Sequence, residues 1–325
     1  MLKTLTLALA ALLPAVSAQA WEPQKPIEFI VTSGPGGGTD SFARAVQAII
    51  VKHKLVDRPI VVSNKGGGSG AEGFVYGKGA AGDAHKLVFG TNNEYLLPYV
   101  ANLPYAPEDL TPVAAMAMDE FVLWVNGESP YKSAAELLAA AKEKPLKFGG
   151  SQSKDVDQTL VSMVGEATGA RFTYIPFKSG NEAAVQLAGG HIDGNTNNPN
   201  ENRGQWQAGM VRPLCVFATT RLPAGPKVSG DLGWADIPLC RDEGIAIDSY
   251  QMPRAVWLPG GVPAEATAFY TDLLRKVSET PEWQDYLAKS SQSGRFLTGD
   301  EWQAYIRAEQ DRVRAVYQKQ GWLAG

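Results

Sequence analysis

The sequence predicts an α/β protein of two lobes. Short apolar strand-like runs alternate with segments of helical period, and this strand signal appears twice, before and after about residue 122. At 325 residues the chain is also long enough for one large or two medium domains, each with a proper core. Such alternation implies parallel sheet with helices packed on both faces. A content of 44% hydrophobic, 20% charged and 9% aromatic residues is that of a globular protein, not a disordered or fibrous one. No short-period repeat is present, which excludes solenoids and propellers.

Taken in order, Met1-Leu2-Lys3, the apolar run Leu5 to Val16 and the small residues of Ala18-Gln19-Ala20 read as an export signal (residues 1–20) cleaved before Trp21. The run is too short for a membrane anchor and Pro14 interrupts it. Without Lys3 the chain has 29 basic against 34 acidic residues, a charge of −5, and a soluble exported protein is expected. Pro26 to Val31 reads as a buried strand, and Thr39-Asp40 as capping residues of a helix carrying Phe42, Ala45, Val46, Ile49 and Ile50. Ile60 to Val62 is a second strand, followed by the glycine-rich stretch 66–70, a short helix around Phe74-Val75, and a third strand over Lys86 to Phe89. In the second set, Phe121 to Val125, Leu146 to Ser151, Phe172 to Ile175 and Val211 to Thr219 read as strands. Ser133 to Lys142, Gln158 to Thr168 and Ala183 to Ala188 read as helices. Arg254 to Pro259 is a last strand before a mostly helical tail with Trp302, Ile306, Val313 and Tyr317 on one face.

Charge and motif content exclude several functions. A net charge of −4 with no basic block argues against nucleic acid, whose phosphates need a concentrated positive face. Gly34-Pro35-Gly36-Gly37-Gly38-Thr39 has Thr where a dinucleotide loop needs its last glycine, and no Gly-Lys-Ser/Thr occurs. His53, His85 and His191 are scattered, so neither a metal site nor a catalytic triad is expected, and no cofactor. Ser69, in Gly67-Gly68-Ser69-Gly70-Ala71, misses a nucleophile elbow by its last residue. Asp155 and Asp157 form a conceivable acid/base pair, though loop aspartates more often cap or face water. Cys215, in a strand, and Cys240, before an expected helix start, leave a disulfide open, worth about 3 kcal/mol by the chain-entropy argument.

What recurs instead is a loop of Gly, Ser, Thr and Asn after each strand: 33–40, 90–94, 149–155, 178–181 and 195–200. In such sheets the carboxyl ends of strands border the ligand crevice, and helix N-termini behind the loops favour an anion.

With the export signal, Lys25-Pro26-Ile27, Ser33 to Asp40, Gly90-Thr91-Asn92, Pro176-Phe177-Lys178, Gly189 to Asp193 and Leu258-Pro259-Gly260-Gly261-Val262-Pro263, in this order, the chain resembles the periplasmic substrate-binding proteins of tripartite tricarboxylate transporters, the Bug family. The resemblance spans nearly the whole mature chain. It implies a two-lobed, type II-like periplasmic binding-protein fold, with mixed sheets, helices on both faces and a cleft between the lobes. Lobe 1 would hold residues 21–122 and 250–325, and lobe 2 residues 123–249. It further implies a monomeric receptor, not an enzyme, that closes over a small organic anion and delivers it to an integral-membrane permease. Family members hold ligand carboxylates by loop N–H groups, hydroxyls and ordered water. Loops and resemblance together give Ser33, Gly34, Pro35, Gly36, Gly37, Thr39, Asp40, Thr91, Asn92, Asn93, Ser151, Gln152, Ser153, Asp155, Lys178, Ser179, Asn197 and Asn198 as the ligand set. The alternatives are a receptor that signals to a sensor partner and a secreted hydrolase using Asp155 or Asp157.

Four positions depart from the family pattern. Asp155 stands where Thr or Ser is common, Glu94 where a small residue is frequent, Asn197 where Asp often stands, and Arg254 at an often aromatic place. A carboxylate facing the ligand would need a donor opposite it, hence an amphoteric or hydroxylated substrate; both acids could equally cap helices or face water. Arg254 reads as a carboxylate clamp or an interlobe salt bridge. Tyr95, Phe177 and Trp257 read as crevice walls or as core.

Overall fold

The structure, a computed structural model, describes residues 21–325; the export-signal reading of residues 1–20 lies outside them. The elements run β1 (Ile27–Val31), α1 (Gly38–Lys52), β2 (Ile60–Asn64), α2 (Ala71–Lys78), β3 (Lys86–Gly90), α3 (Asn93–Val100), β4 (Leu110–Glu120) and β5 (Val122–Asn126). Then follow α4 (Ala134–Glu143), β6 (Leu146–Ser151), α5 (Val156–Thr168), β7 (Phe172–Phe177), α6 (Gly180–Ala188), β8 (Gly194–Asn195), α7 (Pro199–Gln207) and β9 (Val211–Val216). The chain closes with β10 (Gln251–Pro259), α8 (Ala264–Ser278), α9 (Pro281–Ser290), β11 (Ser293–Thr298) and α10 (Gly299–Lys319).

Two sheets result, one of six strands in the order β11-β4-β10-β3-β1-β2 and one of five in the order β7-β6-β8-β5-β9. Parallel pairing, expected from the strand–helix alternation, holds for β1 with β2 and β3, and for β6 with β7 and β8. The pairs of β10 with β3 and β4, of β11 with β4, and of β5 with β8 and β9 are antiparallel, so both sheets are mixed.

Helical period sets the packing. Phe42, Ala43, Val46, Ile49 and Ile50 of α1 are buried with Tyr270 and Leu274 of α8 and Trp283 of α9 on one face of the first sheet. Phe74, Tyr95, Trp257, Trp302 and Tyr317 fill its other face. The second sheet is likewise covered on both faces, by Leu137, Leu160 and Val164 on one side and by Trp124, Leu187 and Trp206 on the other.

Only Phe121 separates β4 from β5, so one extended segment passes from sheet to sheet. The chain returns at Tyr250-Gln251, with Gln251 opposite Glu120 and the Phe121 and Tyr250 rings edge-on at 5.1 Å. Cys215 and Cys240 are bonded, both fully buried, with Cα atoms 4.8 Å apart. The bond ties β9 to the long return segment, where Cys240 N–H also donates to the Val216 carbonyl. The helix expected after Cys240 is a turn over 241–244, since no apolar period follows it.

Candidate functional site

Between the sheets lies a cleft of about 480 Å³. Its walls are the segments following β1, β2 and β3 from one sheet and β6, β7 and β8 from the other, with Met252 and Arg254 of β10 between them.

The first wall is shaped by glycine. Gly36 has φ of +78°, a left-handed turn that costs glycine nothing. A Cβ on Gly66 would stand 2.6 Å from the Ser33 carbonyl carbon, so only glycine lets the two loops lie together. Helix α1 starts after Gly37 with no side-chain cap, leaving first-turn N–H groups for other acceptors. Thr39 and Asp40, expected as caps, sit inside that turn because the helix begins before them, at Gly38. Asp40 instead reaches back, accepting Gly36 N–H and Asn64 Nδ2–H at 2.9 Å each and an ion pair from Arg44. Burial raises its carboxyl pKa, but the hydrogen bonds from Arg44, Gly36 and Asn64 outweigh this and hold it below the usual range.

The opposite wall carries acid. Asp155 is the N-cap of α5 and accepts Val156 N–H at 2.7 Å; burial lifts its pKa to about 6. Asp157, in the first turn, accepts both Ser151 N–H (2.6 Å) and Ser151 Oγ–H (2.8 Å), and burial lifts it to about 7. Glu201 of α7 accepts Asn198 N–H and is raised to about 8, first by burial and then by the charges of Asp157 and Asp119. A hydrogen bond spans the cleft, from Ser69 Oγ to Gln152 Oε1 at 2.6 Å. Both residues have left-handed backbone, φ +57° and +43°.

Of the expected ligand set, Ser33, Gly34, Pro35, Gly36, Gly37, Thr39, Thr91, Asn93, Ser151, Gln152, Asp155, Lys178, Ser179 and Asn198 line this cleft. Four do not. Asp40 braces the loop from behind, as described. Asn92 is fully buried and donates to Glu309 of α10 at 2.7 Å. Asn197 is fully buried and donates to the Gly180 carbonyl and Asn202. Ser153 is exposed outside the cleft.

The departing residues divide similarly. Glu94 is buried in the first half away from the cleft, its pKa raised well above the usual range by burial and by Glu108 and Asp109. Arg254 lines the cleft; its ion pair is with Asp119 on the neighbouring strand β4 of the same sheet and so is not interlobe, and it donates to Thr39 Oγ1 at 3.0 Å. Tyr95 and Trp257 are core and Phe177 packs beside Ile192, so none walls the cleft. Ser69, Gly66, Asp157, Glu201 and Met252 also line it although none belongs to the expected ligand set; the sequence suggests Asp157 and Ser69 only as catalytic groups. For Gly66 and Ser69 the signal was present, since the 66–70 stretch follows β2 as the other loops follow their strands.

None of the three histidines lines the cleft; His53 pairs with Glu282 and His85 with Asp83, both elsewhere. Among the described residues no group of His, Cys, Asp and Glu is arranged to hold a metal, and no helix is long and apolar enough to cross a membrane.

Two mixed α/β sheets, joined by adjacent crossing segments and facing a polar cleft, define a two-lobed solute-binding protein. Residues 42–322 match the sequence profile of the tripartite tricarboxylate transporter family receptor, and the chain belongs to that family. It is 25% identical over 325 residues to the UPF0065 protein in the gbd 5′ region of Cupriavidus necator, covering 98% of this chain and 94% of that one. It is similar in structure to a TctC solute-binding protein from Polaromonas without ligand, at 25% identity and TM-score 0.73, covering 91% and 99% of the two chains. R. palustris Rpa4515 with adipate, 23% identical with 92% and 98% covered, shares the fold at TM-score 0.80.

Proposed function

We propose that this receptor captures a small organic carboxylate in the periplasm by closing its cleft, and delivers it unchanged to the integral-membrane permease of a tripartite transporter. The observation that carries the reading is convergence: strand-end loops from both sheets meet at one cleft, with an uncapped helix start on one side and hydroxyl and amide side chains on both. Donors from the two halves are satisfied together only around a guest, so ligand selects the shut form. The adipate-bound fold relative supports a carboxylate as that guest. In this reading residues 21–122 and 250–325 move as lobe 1 against residues 123–249 as lobe 2, the monomer acts without cofactor, and the cleft-lining members of the expected set are the ligand contacts.

A thermal-shift screen of mono- and dicarboxylates, aromatic acids and amino acids tests this. A ligand at 100 times its Kd stabilises by about 2.7 kcal/mol, an easily read shift. A flat screen, or hydrolysis of an ester or amide by the purified protein, would overturn the proposal.

A further inference from the structure

We infer that the ligand carries an ammonium or hydroxyl donor beside its carboxylate, and that Asp155 receives that donor. The inference rests on the cleft being the carboxylate site and adds the class of carboxylate.

The charge content of the cleft is the starting point. Among the described residues, Arg254 and Lys178 are its only cationic lining residues, against Asp155, Asp157 and Glu201. Arg254 is spoken for by Asp119, both side chains being more than nine-tenths buried, and Lys178 stands exposed at the rim. Asp157 is engaged by the two Ser151 donors, and Glu201, which takes one hydrogen bond from Asn198 N–H, is less deeply buried than Asp155.

Asp155 differs. It is 8% exposed, lines the cleft, and has one hydrogen bond of full geometry, from Val156 N–H to Oδ1. The Asn93 side chain of the opposite half is a second hydrogen-bonding neighbour that lowers its pKa, while donating to the Ser69 carbonyl at 3.1 Å. A carboxylate has about four acceptor positions, so acceptor capacity remains facing the cleft. Buried and part-filled, it is costly until a donor arrives. With its pKa near 6 it is mostly ionised at pH 7.5 and ready to accept. The cleft is thus dipolar: the uncapped start of α1 on one wall suits a carboxylate, and the acidic wall opposite suits a donor. A second ligand carboxylate placed there would meet like charge.

The test is isothermal titration at pH 7.5 with acids on matched skeletons: propionate, lactate and alanine, then succinate, malate and aspartate. We expect the hydroxy or amino acid of a series to bind about tenfold or more tightly than its unsubstituted parent, the scale of a hydrogen bond to a charged group. Asp155→Asn, which keeps a good N-cap, should bring that ratio to within about threefold. Unsubstituted acids that bind as well as their counterparts overturn the inference alone, as does an unchanged ratio in Asp155→Asn. Absence of binding in every arm overturns the carboxylate reading and this inference with it. The wild-type series decides even where the variant fails to fold.

Discussion

Glu94 shows what a single buried carboxyl does to a fold. It is 2% exposed, its Oε1 has no partner, and burial raises its pKa well above the usual range. In the unfolded chain it ionises near pH 4.3, so between that pH and its raised native pKa the native state binds the extra proton. Its contribution is therefore full below the unfolded pKa and is lost as pH rises. Glu94→Gln should be more stable than the parent at pH 7, with the difference fading toward pH 4; urea midpoints across that range measure it, and parallel curves would refute the assignment. Residue identity was legible here but direction was not. Glu94 and Asp155 each follow a polar loop, and the sequence allowed both to face the ligand. The helix phase sets which lines the cleft: Asp155 caps α5 there, while Glu94 lies one residue inside α3 and is buried away from it.

At the scale of elements, strands rich in Val, Ile and Phe were readable because β-branched and aromatic side chains suit a pleated, half-buried surface. β4 was not: its Ala114-Ala115-Met116-Ala117-Met118 stretch has helix-forming composition and is extended because β10 and β11 pair with it on both sides. β11 was hidden within the expected helical tail, and α7 by its polar composition, although Pro199 suits a first helical position. Loops of two such elements meet in the Ser69–Gln152 hydrogen bond, one residue following β2 and the other β6. That contact crosses the cleft without belonging to either wall's own support. Ser69→Ala should therefore speed ligand release about fivefold, the worth of one ordinary hydrogen bond, with association nearly unchanged. Stopped-flow dissociation reads this, and equal release rates would show that the bond plays no part in holding the cleft shut.

For the whole molecule, two α/β halves were legible because each needs only a local strand pattern. Pairing between distant segments was not, and the charge balance of the cleft depends on it. Asp119 and Arg254 lie on β4 and β10, the strands that run into the crossings between sheets, and Arg254 forms part of the cleft surface. Their pairing is what cancels the cleft's one buried guanidinium and leaves the acidic wall unopposed. Asp119→Asn removes the cancelling charge but retains an amide of the same shape. An unpaired buried charge costs about 3–5 kcal/mol, so denaturant midpoints should fall accordingly. The same variant frees Arg254 for a bidentate carboxylate contact, so succinate should bind more tightly to Asp119→Asn than to the parent even as the fold weakens. Stability and affinity would then move in opposite directions, which simple structural damage does not produce. A variant that loses stability and succinate binding together would mean that Arg254 serves only to hold β4 against β10.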